Sequence, residues 1–71
     1  MTLRFHKTLY DGEAVDQAVK ELSDWAEFTL SEEDGYWVVA IAPGEDVDGA
    51  MVRGELSNYA LGLTIERRGG Q

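Results

Sequence analysis

Residues 36–44, Tyr36-Trp37-Val38-Val39-Ala40-Ile41-Ala42-Pro43-Gly44, decide the fold of this 71-residue chain. An almost continuous apolar run of strand length, preceded by Gly35 and closed by Pro43-Gly44, is the pattern of a strand with neighbours on both sides. It predicts the central strand of a sheet.

The elements around it follow outward from that strand. Glu32-Glu33-Asp34-Gly35 is a turn whose Gly can take positive φ, and before it Ala26, Phe28 and Leu30 alternate with Glu27, Thr29 and Ser31. The two runs therefore form a hairpin. Further back, Ala14, Val15, Ala18, Val19, Leu22 and Trp25 recur at steps of three and four, with Asp16, Gln17, Lys20, Glu21 and Asp24 on the other side. This is an amphipathic helix opened by Asp11, whose carboxylate can accept from the first free N–H groups. Glu13 lies in its first turn, near the positive end of the dipole. At the start of the chain Leu3, Phe5 and Leu9 alternate with Thr2, Arg4, His6 and Thr8, which predicts a first strand. Beyond Pro43-Gly44, Val52, Leu56, Tyr59, Ala60 and Leu63 mark a second amphipathic helix, closed by Arg67 and Arg68 where the dipole favours cations. Gly54 and Gly62 each weaken it by about 1 kcal/mol relative to Ala, and Leu63-Thr64-Ile65 also fits a short strand.

The element order is βαββα, an α+β fold. A right-handed crossover makes strand one parallel to strand two, and the hairpin makes strand three antiparallel to strand two. The economical sheet is then three-stranded and antiparallel, in the order 1-3-2, with residues 1–68 as one domain. If both helices cover one face, the bulkier parity of strand three, Trp37, Val39 and Ile41, meets them. Tyr36, Val38, Ala40 and Ala42 are left on the open face among Thr2, Arg4, His6, Glu27, Thr29 and Ser31. An apolar stripe framed by polar side chains is a contact surface, unless long neighbours such as Arg4 shield it. Arg4, His6, Tyr36 and Val38 are therefore candidate protein-contact residues, joined by Tyr59 on the second helix.

Composition removes many functions. Fourteen acids against six bases give a formal net charge of −8, and residues 11–55 hold thirteen acids and two bases. Such a chain repels phosphate backbones and anionic headgroups, so neither nucleic acid nor membrane is expected as a partner. No run of 18 apolar residues exists, the first residues lack the apolar stretch of a signal peptide, and there is no Cys, all of which points to the cytoplasm. A chain this short builds one thin core, and no disulfide or metal staples it, so a homodimer or another protein partner is the expected source of further stability.

The chemistry of catalysis is sought in vain. His6 is the only His and has no thiol beside it, which excludes structural zinc. Glu45, Asp46 and Asp48 before Gly49 lack the bidentate acid of a calcium loop and read as charge at a helix N-terminus. The eight glycines show neither a dinucleotide fingerprint nor a P-loop. Ser23, Ser31 and Ser57 have no oxyanion motif with which His6 could work, and Glu32-Glu33-Asp34 is a solvated turn. No catalytic, cofactor or metal residue is expected, and the chain reads as a non-enzyme.

Two resemblances add to this reading. Gly69-Gly70-Gln71 is expected to be a flexible tail and resembles the end of the prokaryotic ubiquitin-like modifier, which implies conjugation through that terminus. That family, however, is poor in large apolar residues. Over most of the chain, Leu9-Tyr10, Glu13-Ala14-Val15, Gly35-Tyr36-Trp37-Val38-Val39, Gly54-Glu55-Leu56 and Asn58-Tyr59-Ala60-Leu61 resemble the small HxsD family of the His-Xaa-Ser systems. There a small cysteine-free protein accompanies a His-Xaa-Ser repeat precursor and two radical S-adenosylmethionine (SAM) enzymes. The resemblance implies an accessory role in peptide maturation, with radical SAM enzymes as partners and no catalytic residues to transfer. The expected function is a non-catalytic adaptor that binds a partner protein or peptide. The alternatives are a homodimeric structural protein and, third, the conjugated modifier.

Overall fold

In the computed structural model, which describes residues 1–69, the order is β1 (Thr2–His6), α1 (Gly12–Glu21), β2 (Ala26–Glu33), β3 (Tyr36–Pro43) and α2 (Gly49–Gly69). The fold is α+β. The sheet is three-stranded and antiparallel in the order β1-β3-β2. Register follows the alternation of side chains: Phe5 opposes Trp37 and Leu3 opposes Val39, while Arg4 opposes Val38 and His6 opposes Tyr36. On the other side Phe28 opposes Ile41 and Leu30 opposes Val39. Met1 extends the first ladder, accepting from Ile41 N at 2.7 Å, and Gly44 N donating to Trp25 O at 3.0 Å extends the second.

The hairpin turn is two residues long, since Glu33 pairs with Tyr36. Gly35 there has φ 77°, a conformation that Gly adopts without the Cβ clash other residues suffer. The N–H of Lys7 donates to the Gly35 carbonyl at 2.9 Å, which ties the chain after β1 to this turn.

Both helices lie on the face of the sheet that carries Phe5, Val39 and Ile41. These side chains, with Ala26, meet Val15, Ala18 and Leu22 of the α1 segment and Val52, Leu56 and Ala60 of α2 in one core. α1 begins as its sequence predicts, with the Asp11 carboxylate accepting from Glu13 N at 3.0 Å. α2 begins in the same way, with Asp48 accepting from Ala50 N at 3.0 Å.

Three expectations need correction. β1 stops at His6, and Leu9, expected on its inward row, lies in the following turn at 62% exposure. There Leu9 and Tyr10 both donate backbone N–H to the His6 carbonyl, so the local hydrogen bonds that close the turn replace a ladder. α1 ends at Glu21, and Trp25, expected on its apolar face, lies in the connection to β2 at 41% exposure. Leu22 N–H still donates to Ala18 O as in a helix, but Ser23 N–H donates to Lys20 O at 3.3 Å and Trp25 N–H to Leu22 O at 3.0 Å, three-residue turns that end α1 before Trp25 can join it. Finally, α2 runs through Gly69, so the first residue of the expected Gly69-Gly70-Gln71 tail is helical, while residues 70 and 71 lie outside the described residues; Leu63-Thr64-Ile65, which fitted helix or strand, is helix.

The physical reason for the helix at 63–65 is Thr64. It continues the buried row Val52, Leu56, Ala60 at steps of four, and its hydroxyl, buried with it, accepts from Asp11 N at 3.2 Å. Arg67, one turn on, donates from Nε to Asp11 Oδ2 at 2.7 Å and pairs through Nη2 with Glu13. The C-terminal end of α2 is thereby fastened to the N-terminal end of α1.

Replacing Thr64 with Val keeps the shape and removes the acceptor for Asp11 N–H. Urea denaturation of Thr64→Val is expected to show a loss of about 0.5–1.5 kcal/mol, the net contribution of one hydrogen bond with a part-buried donor. The Asp11 carboxyl is held below its ordinary value, first by the Arg67 hydrogen bond and then by Glu13 N, against an opposing effect of burial. A carboxyl depressed in this way stabilises the fold above its unfolded pKa, and that contribution is lost as pH falls through the folded one. Asp11→Asn is therefore expected to flatten the fall of the urea midpoint measured from pH 6 down to pH 2.5.

Candidate protein-binding surfaces

The structure brings three of the five expected contact residues together. On the open face the Tyr36 ring meets His6 edge-on, with centroids 5.0 Å apart, and the Arg4 guanidinium lies 5.9 Å from the Tyr36 centroid. Arg4 also pairs with Glu33 at 3.4 Å. His6 Nδ1 accepts from Thr8 N at 3.2 Å and lies 2.7 Å from Thr8 Oγ1. These groups satisfy one another and form a polar cover.

Val38 lies beneath that cover. It is only 6% exposed, although it faces away from the core, and its register partners are Arg4 and Ser31. The long side chain on one side and Tyr36 along the strand shield it. Of the expected stripe only Ala40 and Ala42 remain exposed, and Ala is too small to anchor a partner. Val38 is thus a structural residue of the open face rather than a contact residue. Tyr59, the fifth candidate, is partly exposed on α2, in the helix layer across the sheet from the other four.

A second surface lies along β2. Because the strand order is β1-β3-β2, β2 has no strand on its outer side among the described residues. An antiparallel ladder turns the N–H and C=O of alternate residues outward from such an edge. The side chains that β2 turns toward the helices, Phe28 and Leu30, are only half-buried because α1 does not close over them. Two depressions succeed one another here between α1 and β2. One, of about 590 Å³, is lined by Asp11, Gly12, Glu13 and Asp16 against Leu30, Ser31, Glu32 and Trp37. The next, of about 450 Å³, lies between Val19, Lys20 and Ser23 on one side and Ala26 to Thr29 on the other. Together they make a groove along the strand, with an apolar floor of Trp37, Leu30, Phe28 and Val19.

Trp37 is held rigidly at one end of this groove. Its Nε1 donates to the Tyr10 carbonyl at 3.3 Å, and Lys7 Nζ stands 4.6 Å from its ring centroid. The ring lies so close to Gly12 that a Cβ on that residue would fall 2.6 Å from Trp37 Cζ2. Residue 12 has to be Gly for α1 to start beside the indole. The rim is acidic, though partly neutralised: Glu32 pairs with Lys7 at 2.6 Å, Asp16 with Lys20 at 3.0 Å, and Arg67 serves both Asp11 and Glu13. β2 itself contributes Glu27, Glu32 and Glu33 and no base.

The expected order 1-3-2 already put strand two at the side of the sheet, but it did not single out the groove residues Phe28, Leu30, Glu32, Asp16 and Trp37 as a set. Their signal was the inward parity of Phe28 and Leu30 on a strand whose place in the order makes it an edge. Among the described residues no group of His, Asp and Glu side chains is arranged to hold a metal ion, and no helix is long and apolar enough to cross a membrane.

Comparison with models of known protein families, with curated proteins and with solved structures finds no match for this chain.

Proposed function

We propose that this chain is a non-catalytic adaptor that binds an extended segment of a partner protein or peptide along the free edge of β2. The observation that carries the reading is the edge itself. Unpaired backbone groups of β2 lie beside a groove floored by half-buried Phe28, Leu30 and Trp37. An added strand gains main-chain hydrogen bonds from such an edge and specificity from the pockets beside it. The groups that could do chemistry are engaged in structure: His6 in its turn, and Asp11, Glu13, Asp16 and Glu32 in ion pairs.

The excess of acids favours a segment that carries positive charge. A His-Xaa-Ser repeat precursor, the partner class implied by the resemblance to the HxsD family, becomes such a segment when its imidazoles are protonated. In that setting the adaptor would work in the cytoplasm, presenting the peptide to radical SAM enzymes.

The test is an amide-resolved NMR titration with a synthetic His-Xaa-Ser repeat peptide. Shifts are expected to concentrate in residues 26–33 and along α1, with tighter binding at pH 6 than at pH 8. Leu30→Asp, which places a charge on the groove floor, is expected to weaken binding at least ten-fold. Shifts confined to the open face around Tyr36 would move the site there, and no shifts with either this peptide or the purified enzymes would remove the adaptor reading.

A further inference from the structure

The end of the groove nearest the hairpin holds a positive charge of the chain's own. Lys7 follows β1, and its side chain crosses β3 to reach Glu32 on β2, with Nζ 2.6 Å from Oε2. On the way the ammonium stands 4.6 Å from the Trp37 ring centroid. An aromatic ring and a carboxylate thus converge on one cation, the arrangement that holds ammonium and guanidinium groups in binding sites. Both groups also line the larger depression, of about 590 Å³. Of the bases that neutralise the rim, Lys20 pairs along α1 and Arg67 comes from α2, so Lys7 is the one whose charge rests on the groove floor.

We propose that Trp37 and Glu32 seat one arginine of the bound strand, and that Lys7 fills this seat as an internal competitor until the strand arrives. Reach selects a long side chain. A strand added to β2 lies two strand spacings, about 10 Å, from β3 and the backbone of Trp37. Its helix-facing residue beside Glu32 has its Cβ about 5 Å from that of the acid. A cation on a long stem covers both distances, whereas an imidazole on a single methylene stops short of the indole. Arginine suits the pair better than lysine, because a flat guanidinium can stack on the indole while its fork takes the carboxylate.

Lys7 is placed to yield. Among the described residues its ammonium has one hydrogen-bond partner for three donors, and the Glu32 side chain is 63% exposed. An ion pair this open contributes little to the fold. The backbone of Lys7 is held separately, by its N–H bond to the Gly35 carbonyl, so the side chain can leave while the turn stays closed. The seat presupposes strand binding at the β2 edge, as proposed above, and adds the residue type that the hairpin end of the groove selects.

Two short peptides of alternating Thr and Val serve as probes, identical except that a central Arg in one is citrulline in the other, which keeps the shape and removes the charge. Each is titrated into the full chain and its variants, with amide and indole NMR as the readout. The Arg peptide is expected to bind the unaltered chain more tightly than its twin and to shift the Trp37 indole signal. Lys7→Gln is expected to raise the affinity for the Arg peptide about three-fold or more and to leave that for the citrulline peptide unchanged. Lys20→Gln makes the same change of charge beside the same groove and is expected to have a smaller effect. Glu32→Gln is expected to remove the difference between the two peptides. If Lys7→Gln leaves the Arg peptide no better bound, or lowers both affinities together, Lys7 is a structural residue and the proposal is overturned. Equal binding of both peptides along residues 26–33 overturns the seat and leaves strand binding standing, and absence of binding overturns both.

Discussion

β3 is hydrogen-bonded on both edges, and most of what the fold can and cannot do follows from that position. A middle strand satisfies its backbone groups only if both neighbours are present. β1 and β2, which are far apart in sequence, are therefore brought to either side of one apolar run. The register that pairs Leu3 with Val39 and Leu30 with Val39 places the inward parity of all three strands under the helices. Val39 is wholly buried at the crossing of these rows. With only three strands the same arrangement leaves two edges and one face without cover.

How each uncovered surface is treated differs with its chemistry. The open face is closed locally by side chains: Arg4, the register partner of Val38, lies over the Tyr36 ring, His6 meets that ring edge-on, and Glu33 pairs with Arg4. The far end of that face is lined by Thr2, Thr29, Ala40 and Ala42, which have little surface to bury. The edge of β2 has no such cover, and its flanking side chains Phe28 and Leu30 stay half-exposed. Acidic residues along the strand discourage its pairing with another acidic strand, a recognised means of guarding an edge. The same acids admit a basic one. Guarding and recognition are here two consequences of a single charge distribution.

The two helices are coupled most directly at one corner. Asp11 caps α1, receives the Arg67 side chain, and sends its own N–H to the Thr64 hydroxyl. One residue thus joins the chain after β1, the start of α1 and the end of α2. A helix of 21 residues would otherwise project its last turns beyond a sheet of short strands. The corner also sets the groove beside β2, because Asp11, Gly12 and Glu13 form one of its walls. Trp37, locked between Tyr10 and Gly12, forms the end of its floor.

The sequence alone determined the element types, their order, and which parity of β3 meets the helices. These depend on periodicities of two and 3.6 that each segment carries by itself, and on handedness and turn length, which are local. The α1 cap at Asp11 and the turn at Gly35 were legible for the same reason, since a cap or a positive φ involves residues a few positions apart. Tertiary structure decided the rest. Leu9 and Trp25 keep their apolar spacing yet lie outside the elements, because turn hydrogen bonds to His6, and to Lys20 and Leu22, end β1 and α1 first. Thr64 is helical because its hydroxyl meets a donor 53 residues away. Val38, expected exposed on the open face, is covered, and Phe28 and Leu30, on the apolar row of β2, are only half-buried. Burial depends on what stands beside a residue in space, and alternation along a strand specifies the face but not the neighbour.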